Sequence, residues 1–163
     1  MSEIKKFYLT KEGLERIKKE YRNLRSLRLA KTNGEAPKIF ESEDLNPEYL
    51  SFQEDLSFLE SRIVELEYIL KNTLLIRPPA GKKQNIIDLG ATVTTELDGE
   101  IDEFTIVGSL ETDPVNKRIS NESPIGQALI GKRAGETVVI KTPIVNHSCK
   151  ILKIKYNKIL KLY

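Results

Sequence analysis

Cysteine, histidine and tryptophan are almost missing from this chain of 163 residues. It contains one Cys, one His and no Trp. A single cysteine excludes an internal disulfide and a zinc site built from several thiolates. The lone His147 lies in the polar stretch Asn146-His147-Ser148, and we expect it to be a solvated loop residue.

Long apolar runs are also missing. No stretch approaches the roughly 18 apolar residues that a membrane span needs. We therefore expect no membrane partner and a cytoplasmic location. The sequence also has no glycine-rich phosphate loop, nucleophile-base set or metal-ligand spacing, so nothing in it favours independent catalysis.

Charge is balanced over the whole chain but not locally. There are 26 Lys and Arg residues against 24 Asp and Glu residues, a net charge of +2. Residues 5–31 hold ten basic and three acidic side chains, whereas residues 41–67 hold nine acidic side chains and one Arg. Two neighbouring segments of opposite charge can pair with each other, and this interpretation competes with the binding of an external partner.

The most regular feature is an apolar repeat that follows Asn46. Its members are spaced alternately by three and four residues: Tyr49, Phe52, Leu56, Leu59, Ile63, Leu66 and Leu70. This spacing is typical of a helix that buries one narrow stripe against another helix. Asn46 suits the N-cap and Pro47 the first helical position, so the pattern predicts a helix from Pro47 to Lys71.

A shorter repeat near the N-terminus predicts the partner helix. Thr10 is a candidate N-cap, and apolar residues follow at helical spacing: Leu14, Ile17, Tyr21 and Leu24. The repeat ends at Arg28, and we expect the helix to fray near Lys31, before the breakers Gly34 and Pro37. The two helices predict an antiparallel coiled-coil hairpin whose turn carries the acidic segment Glu41–Asp44.

The composition changes between residues 73 and 85, where paired prolines and a glycine occur. We place a linker at 76–85, between an N-terminal hairpin at 1–75 and a C-terminal domain at 86–163. In the second domain the apolar period becomes two: Ile86–Leu97 and Ile101–Val107 flank the turn residues Asp98 and Gly99. This pattern predicts a β-hairpin.

Two more strands and one helix complete the predicted second domain. The strands are the stretches ETVVIKTPI and SCKILKIKY. Between the two strand pairs, Ser123 can cap, Pro124 can open and Gly131 can end a short amphipathic helix. Four or five strands with one covering helix form a small α+β domain.

Three blocks of the sequence resemble the Gre family of bacterial transcript cleavage factors, of the GreA/GreB type. The blocks are YLTKEGLERIKKEYRNL, DLNPEYLSFQED and ISNESPIGQALIGKRAGETVVIKTP, and the resemblance covers nearly the whole chain. It implies a coiled coil that enters the secondary channel of bacterial RNA polymerase and an FKBP-like C-terminal domain that docks at the rim. It also implies a monomer that stimulates the polymerase's own cleavage of backtracked nascent RNA and has no turnover by itself.

The acidic segment departs from the family's tip motif, G-D-L-x-E-N-A-E-Y. A register carried forward without gaps places Asp44 and Leu45 on the Asp-Leu pair, after which the x-E pair is missing. A gap placed upstream instead aligns Ser42 and Leu45 with the two acidic positions, which leaves neither acidic. We favour the first alignment because it keeps the Asp-Leu dipeptide and shortens only a loop.

The resemblance implies a metal-dependent role for this segment. Asp44, helped by Glu43, would hold the second Mg²⁺ ion of the polymerase active site and orient the attacking water; Glu41 and Glu48 are the other candidates for the second carboxylate. No cofactor is expected on the free protein. The alternative is an exposed acidic turn that is favoured only by the helix dipole.

The resemblance implies two further contact surfaces. Lys11, Lys18, Arg22 and Arg25 lie in a narrow arc of the first helix and would contact phosphates of the extruded RNA 3′ segment. The alternative is a solvated face that pairs with acids of the second helix such as Glu54, Asp55 and Glu60. Ser123, Pro124 and Ile125 match the block near the loop that docks on polymerase, although helix capping alone also explains Ser123 and Pro124.

Two other functions remain open from the sequence. A homologue that binds the same channel could inhibit or modulate transcription without promoting cleavage, and the missing tip residues make this a serious alternative. A coiled-coil interaction protein unconnected to transcription would not bind core polymerase.

Overall fold

The computed structural model describes residues 5–34 and 47–157, which contain three α-helices and seven β-strands. The predicted α+β class is confirmed. The chain divides into two compact units: Leu14–Thr73 lies in the first, and the second combines Lys6–Gly13 with the chain from Leu74 onward. The expected first domain, 1–75, therefore differs at its start, because Lys6–Gly13 cluster with the second unit.

The first unit is a pair of helices, α1 (Lys11–Asn33) and α2 (Pro47–Lys71). The α2 bounds are those that the apolar repeat predicts. Leu59, Ile63 and Leu66 are buried, and the other members of the repeat are partly buried. Ile69 is also buried, whereas the neighbouring Leu70 is only partly buried. A straight helix drifts relative to a strict 3.5-residue period, which moves the buried stripe across the surface in this way.

Side-chain contacts between the helices show that they are antiparallel. Near the start of α1, the Tyr21 hydroxyl donates to Glu67 at 2.7 Å. Near its end, Arg28 Nε lies 3.3 Å from Glu60 and Lys31 Nζ lies 2.8 Å from Asp55. Residues later in α1 therefore contact residues earlier in α2, which confirms the predicted hairpin.

The second unit is built on a five-stranded sheet. The strands are β3 (Ala91–Leu97), β4 (Glu100–Val107), β5 (Arg118–Ser120), β6 (Thr137–Lys141) and β7 (Asn146–Tyr156), in the spatial order β5-β4-β3-β7-β6. Neighbouring strands are antiparallel except for the parallel pair of β4 and β5. Two short strands, β1 (Phe7–Leu9) and β2 (Thr73–Leu75), form a separate sheet.

The turn between β3 and β4 forms where the dipeptide Asp98-Gly99 predicts it. Asp98 has φ 49° and Gly99 has φ 87°, and Leu97 pairs with Glu100 across the turn. Positive φ at both central residues is typical of a two-residue hairpin turn, and Asp-Gly tolerates it well. One face of this sheet is covered by the helix α3 (Pro124–Leu129), whose Leu129 is fully buried with Val93, Ile106 and Ile151.

Three features differ from the sequence-based expectations. His147 is not a loop residue: it lies in β7 opposite Ile140, and its Nδ1 is 2.6 Å from Asp98 Oδ2. Part of the expected linker, Gly81–Asn85, forms a 3₁₀-helix. The three-residue strands β1, β2 and β5 were not predicted, because such short segments carry no measurable period.

None of the helices within the described ranges combines the length and the apolar character that a bilayer crossing requires.

A buried carboxylate organises the start of α1. The Glu111 side chain is 1% exposed and accepts hydrogen bonds from the Thr10 backbone N–H and the Thr10 hydroxyl, both at 2.6 Å. Arg118 Nη2 lies 3.0 Å from the same carboxylate. The Thr10 hydroxyl in turn accepts from Gly13 N–H at 3.0 Å, which confirms Thr10 as the N-cap.

Gly13 lies directly against this carboxylate. A Cβ atom at Gly13 would overlap the carboxylate of Glu111, so only glycine fits here. Donors from Thr10 and Arg118 therefore converge on one carboxylate that is almost completely shielded from water.

We expect Glu111→Ala to destabilise the protein by roughly 3 kcal/mol, because it leaves Arg118 and the Thr10 N–H without their buried acceptor. Urea unfolding followed by circular dichroism measures this free energy. Glu122→Ala, which removes an exposed acid from the same unit, is the control and should stay within about 0.5 kcal/mol of the parent. Equal effects of the two substitutions would contradict the structural role of Glu111.

Candidate functional site

The acidic segment belongs to the stretch of sequence that connects α1 to α2. Glu41, Glu43 and Asp44 lie outside the described residues, as does the expected cap Asn46. Glu48, the remaining candidate, is the second residue of α2 and is exposed. Because the helices are antiparallel, residues 34–46 join them at the end near Lys31 and Asp55. The acidic segment is thus attached to the end of α2 that lies away from its buried seam.

The start of α2 lies far along the helix axis from the buried residues of its C-terminal half. At about 1.5 Å per residue, Pro47 lies about 28 Å along the axis of α2 from the fully buried Leu66. The helix surface changes over this distance from buried Leu59, Ile63 and Leu66 to partly buried Tyr49 and Phe52. The apolar residues of α2 are therefore most deeply buried in its C-terminal half and less buried near its start, to which the acidic segment is connected.

The four basic residues of the predicted arc differ in their contacts. Among the described residues, Lys11 and Arg22 are exposed and have no side-chain partner. Lys18 lies 3.0 Å from Glu15 of its own helix, and the Arg25 guanidinium lies over the Tyr21 ring at 5.6 Å. None of the four pairs with α2.

The acids of α2 are paired with other cations. Asp55 and Glu60 contact Lys31 and Arg28, so the alternative that places them opposite the predicted arc is wrong for these two acids. Glu54 is exposed and has no partner in the part of the chain that the structure describes. The positive charge of the basic arc is therefore not neutralised by Asp55 or Glu60 of α2.

Other ionisable groups of the hairpin are held by specific partners. The hydrogen bond to Glu67 raises the pKa of the Tyr21 hydroxyl above its ordinary value. Arg62 contacts Glu65 at 2.7 Å and Glu20 at 2.8 Å, and these hydrogen bonds raise the pKa of its guanidinium. The Tyr21–Glu67 and Arg62–Glu20 contacts therefore link α1 to α2.

The predicted docking residues have distinct roles around α3. The Ser123 hydroxyl accepts from Gly126 N–H at 3.0 Å and donates to Ser120 C=O at 2.7 Å, so it caps the helix. Pro124 occupies the first turn and is exposed. Ile125 is partly buried and packs against the core. Of the three, Pro124 offers the most surface to a partner.

Metal binding has no preformed site in the described ranges, 5–34 and 47–157. No group of three or more His, Cys, Asp or Glu residues there could hold a metal ion. Cys149 is buried, and its burial raises the pKa of the thiol. The thiol stays protonated where a metal ligand would need a thiolate.

Comparisons with known proteins identify relatives of the chain over most of its length. The family described as "Transcription elongation factor, N-terminal" matches residues 7–74, and "Transcription elongation factor, GreA/GreB, C-term" matches residues 82–156. The transcription elongation factor GreA of Thermomicrobium roseum is 41% identical over 150 residues, which cover 90% of this chain and 96% of that protein. GreA of Bacillus subtilis is 40% identical over 159 residues, covering 94% and 99%.

A solved structure also aligns with this chain. It is GreA factor homolog 1 (Gfh1) of Thermus thermophilus, which is 26% identical, covers 93% of this chain and 99% of that chain, and has a TM-score of 0.40. At this score the alignment adds nothing to the sequence relationships.

We expect Ser123→Ala to destabilise the second unit by about 1 kcal/mol, because it removes the cap that satisfies Gly126 N–H. Urea unfolding measures the effect, and Ser148→Ala in the exposed face of β7 is the control. If Ser123→Ala is as stable as that control, the capping hydrogen bond contributes nothing measurable.

Proposed function

Because the chain belongs to the GreA/GreB family of transcription elongation factors, we propose that it binds RNA polymerase through the secondary channel and stimulates cleavage of backtracked nascent RNA. The observation that carries this proposal is the antiparallel pairing of α1 with α2, from Tyr21–Glu67 to Lys31–Asp55. The stretch between the two helices, which contains the acidic segment, therefore starts and ends at one end of a long helical hairpin. A narrow pair of helices of this kind can reach a reaction centre that a globular domain cannot.

The chemistry at that end depends on carboxylate oxygens. Bound magnesium ions in the polymerase activate water and stabilise the leaving oxygen of a phosphodiester. Asp44 and Glu43 would add oxygen ligands to the second ion and hold the attacking water by hydrogen bonds, with Glu41 or Glu48 as the substitute for Glu43. The chain supplies only part of a site, so it acts as a stimulating factor of the polymerase and has no turnover of its own.

The remaining partners follow from the other surfaces. Lys11 and Arg22 are exposed without partners in the described ranges, which supports a contact of the basic arc with phosphates of the RNA 3′ segment. Pro124, at the start of α3, is the candidate contact of the second unit with the polymerase. We propose a monomer that acts in the cytoplasm.

We expect the double variant Glu43→Gln, Asp44→Asn to lower stimulated transcript cleavage by roughly 10- to 100-fold, because it removes ligand charge from the metal. The measurement uses a stalled, backtracked elongation complex with labelled RNA, and polymerase binding is measured in parallel. Glu12→Gln, Glu54→Gln removes two other acids of the same hairpin and is the matched control.

Three outcomes of that assay would contradict the proposal. Unchanged cleavage by the tip variant would remove the acids from the mechanism. If the parent protein blocks nucleotide addition without shortening the RNA, the chain is an inhibitor of the channel. If the parent protein does not bind core polymerase, the chain has no role in transcription.

We expect Lys11→Gln, Arg22→Gln to weaken the contact with RNA, since the unpaired cations supply the phosphate attraction. The readout is the yield of photocrosslinks from 4-thiouridine in the RNA 3′ segment as the salt concentration rises. Each lost phosphate contact should make the log–log salt dependence shallower by about 0.7. Arg28→Gln, Lys31→Gln removes two cations that are already paired with α2, and it should leave the crosslink unchanged; equal losses in both variants would exclude the basic arc.

A further inference from the structure

Arg25 differs from the other members of the basic arc in how its charge is held. Its guanidinium lies over the Tyr21 ring, 5.6 Å from the ring centroid. Tyr21 is one turn earlier in α1, and residues at this spacing lie on the same face of a helix. The Arg25 side chain is exposed, and within the described ranges no carboxylate forms an ion pair with it. Arg25 is therefore held by an aromatic ring and not by an acid.

The Tyr21 ring is in turn held from the other helix. Its hydroxyl donates to Glu67 of α2 at 2.7 Å, and the residue is partly buried in the apolar repeat of α1. The hydrogen bond to Glu67 raises the pKa of the Tyr21 hydroxyl, whereas the positive charge of Arg25 acts in the opposite direction. Tyr21 thus has one partner on α2 that fixes the ring and one partner on α1 that the ring fixes.

This arrangement leaves the N–H donors of Arg25 available. The donors of a guanidinium lie in one plane, and a phosphate group accepts them in pairs. An acid that paired with Arg25 would occupy the same donors, as Glu15 occupies Lys18 at 3.0 Å and Glu60 occupies Arg28 at 3.3 Å. A cation–π contact through the ring orders the side chain without that competition.

Order of this kind matters for binding, because a long side chain loses rotamer freedom when it is immobilised at an interface. Lys11 and Arg22 have no side-chain partner in the described ranges, so each would lose this freedom on contact with a ligand. Arg25 has already lost part of it against Tyr21. Of the four arc residues, Arg25 therefore combines an ordering contact with donors that no acid of the described chain occupies.

We propose that Tyr21 is a positioning residue for the RNA contact: it holds the Arg25 guanidinium in the orientation in which Arg25 binds a phosphate of the RNA 3′ segment. This inference rests on the proposed contact of the basic arc with RNA. It adds a residue that acts through Arg25 and does not itself touch the RNA. The competing interpretation is that Tyr21 only packs α1 against α2.

The first experiment measures the protein concentration that gives half-maximal photocrosslinking to 4-thiouridine in the RNA 3′ segment of a stalled elongation complex. Tyr21→Leu should raise this concentration by about 2- to 5-fold, since it removes the cation–π contact of an exposed Arg. Tyr21→Phe keeps the ring and should restore the parent value. Phe58→Leu is the matched control, because it removes a ring of α2 that is 79% exposed and has no cation over it in the described ranges.

A double-mutant cycle separates positioning from packing. If Tyr21 acts through Arg25, Tyr21→Leu should have no further effect on the crosslink in a chain that already carries Arg25→Gln. A residue that only packs the helices would weaken the crosslink equally in both backgrounds. Circular dichroism of each variant checks that the helical content is kept.

The second experiment needs no polymerase and leaves Tyr21 in place. NMR of the full chain with labelled tyrosine rings follows the ionisation of the Tyr21 hydroxyl, which is assigned by its absence in Tyr21→Phe. Arg25→Gln should raise the pKa of this hydroxyl further, because it removes the charge that lowers the pKa. Arg22→Gln, which removes a neighbouring cation of the arc, should leave the titration unchanged.

Three results would overturn the inference, and they are distinguishable. An unchanged Tyr21 titration in Arg25→Gln would show that the guanidinium does not lie on the ring. Equal crosslinking by Tyr21→Leu and Phe58→Leu, or equal losses in both Arg25 backgrounds, would show that the ring does not position Arg25. If neither Arg25→Gln nor Lys11→Gln, Arg22→Gln changes the crosslink of a polymerase-bound chain, the proposed RNA contact itself fails, and the role of Tyr21 fails with it.

Discussion

The narrow apolar stripe of α2 is the constraint on which the rest of the structure depends. Burial of Leu59, Ile63 and Leu66 removes apolar surface from water, and the apolar repeat of the antiparallel helix α1 consists of Leu14, Ile17, Tyr21 and Leu24. This repeat ends before Arg28, and beyond it the polar pairs Arg28–Glu60 and Lys31–Asp55 link the two helices. Exposed ion pairs contribute little stability each. The acidic segment is thus connected to the end of α2 whose apolar residues are only partly buried.

Charge is divided between pairs that hold the fold and cations that face outward. Arg28, Lys31, Arg62 and Arg118 are each bound to a carboxylate of this chain. In contrast, Lys11 and Arg22 have no such partner in the described ranges. The net charge of +2 over the whole chain does not show which cations are paired and which are not. The paired cations are expected to affect stability, and the outward ones are expected to affect binding to polyanions and its salt dependence.

Much of the fold could be predicted, because strong local signals agree with the final contacts. The apolar repeat gives the exact bounds of α2, Asp98-Gly99 gives the hairpin turn, and Ser123-Pro124 gives the start of α3. The role of Glu111 could not be predicted, since it depends on bonds to Thr10, which is 101 positions away. The strand β5 was missed for a similar reason, because its parallel pairing with β4 is not encoded in three residues. The candidate tip acids were proposed from family resemblance, and the predicted alternatives among them stay predictions.

The most direct test of the central claim is a measurement of where the hairpin ends inside the polymerase. Fe²⁺ can replace Mg²⁺ in the active centre of an elongation complex, and with a reductant and peroxide it generates hydroxyl radicals that cut nearby protein backbone. We expect the bound chain to be cut within residues 41–48 and to remain intact in the sheet of the second unit. Cuts confined to the second unit, or an uncut chain in a complex that is shown to contain it, would contradict delivery of these acids to the metal.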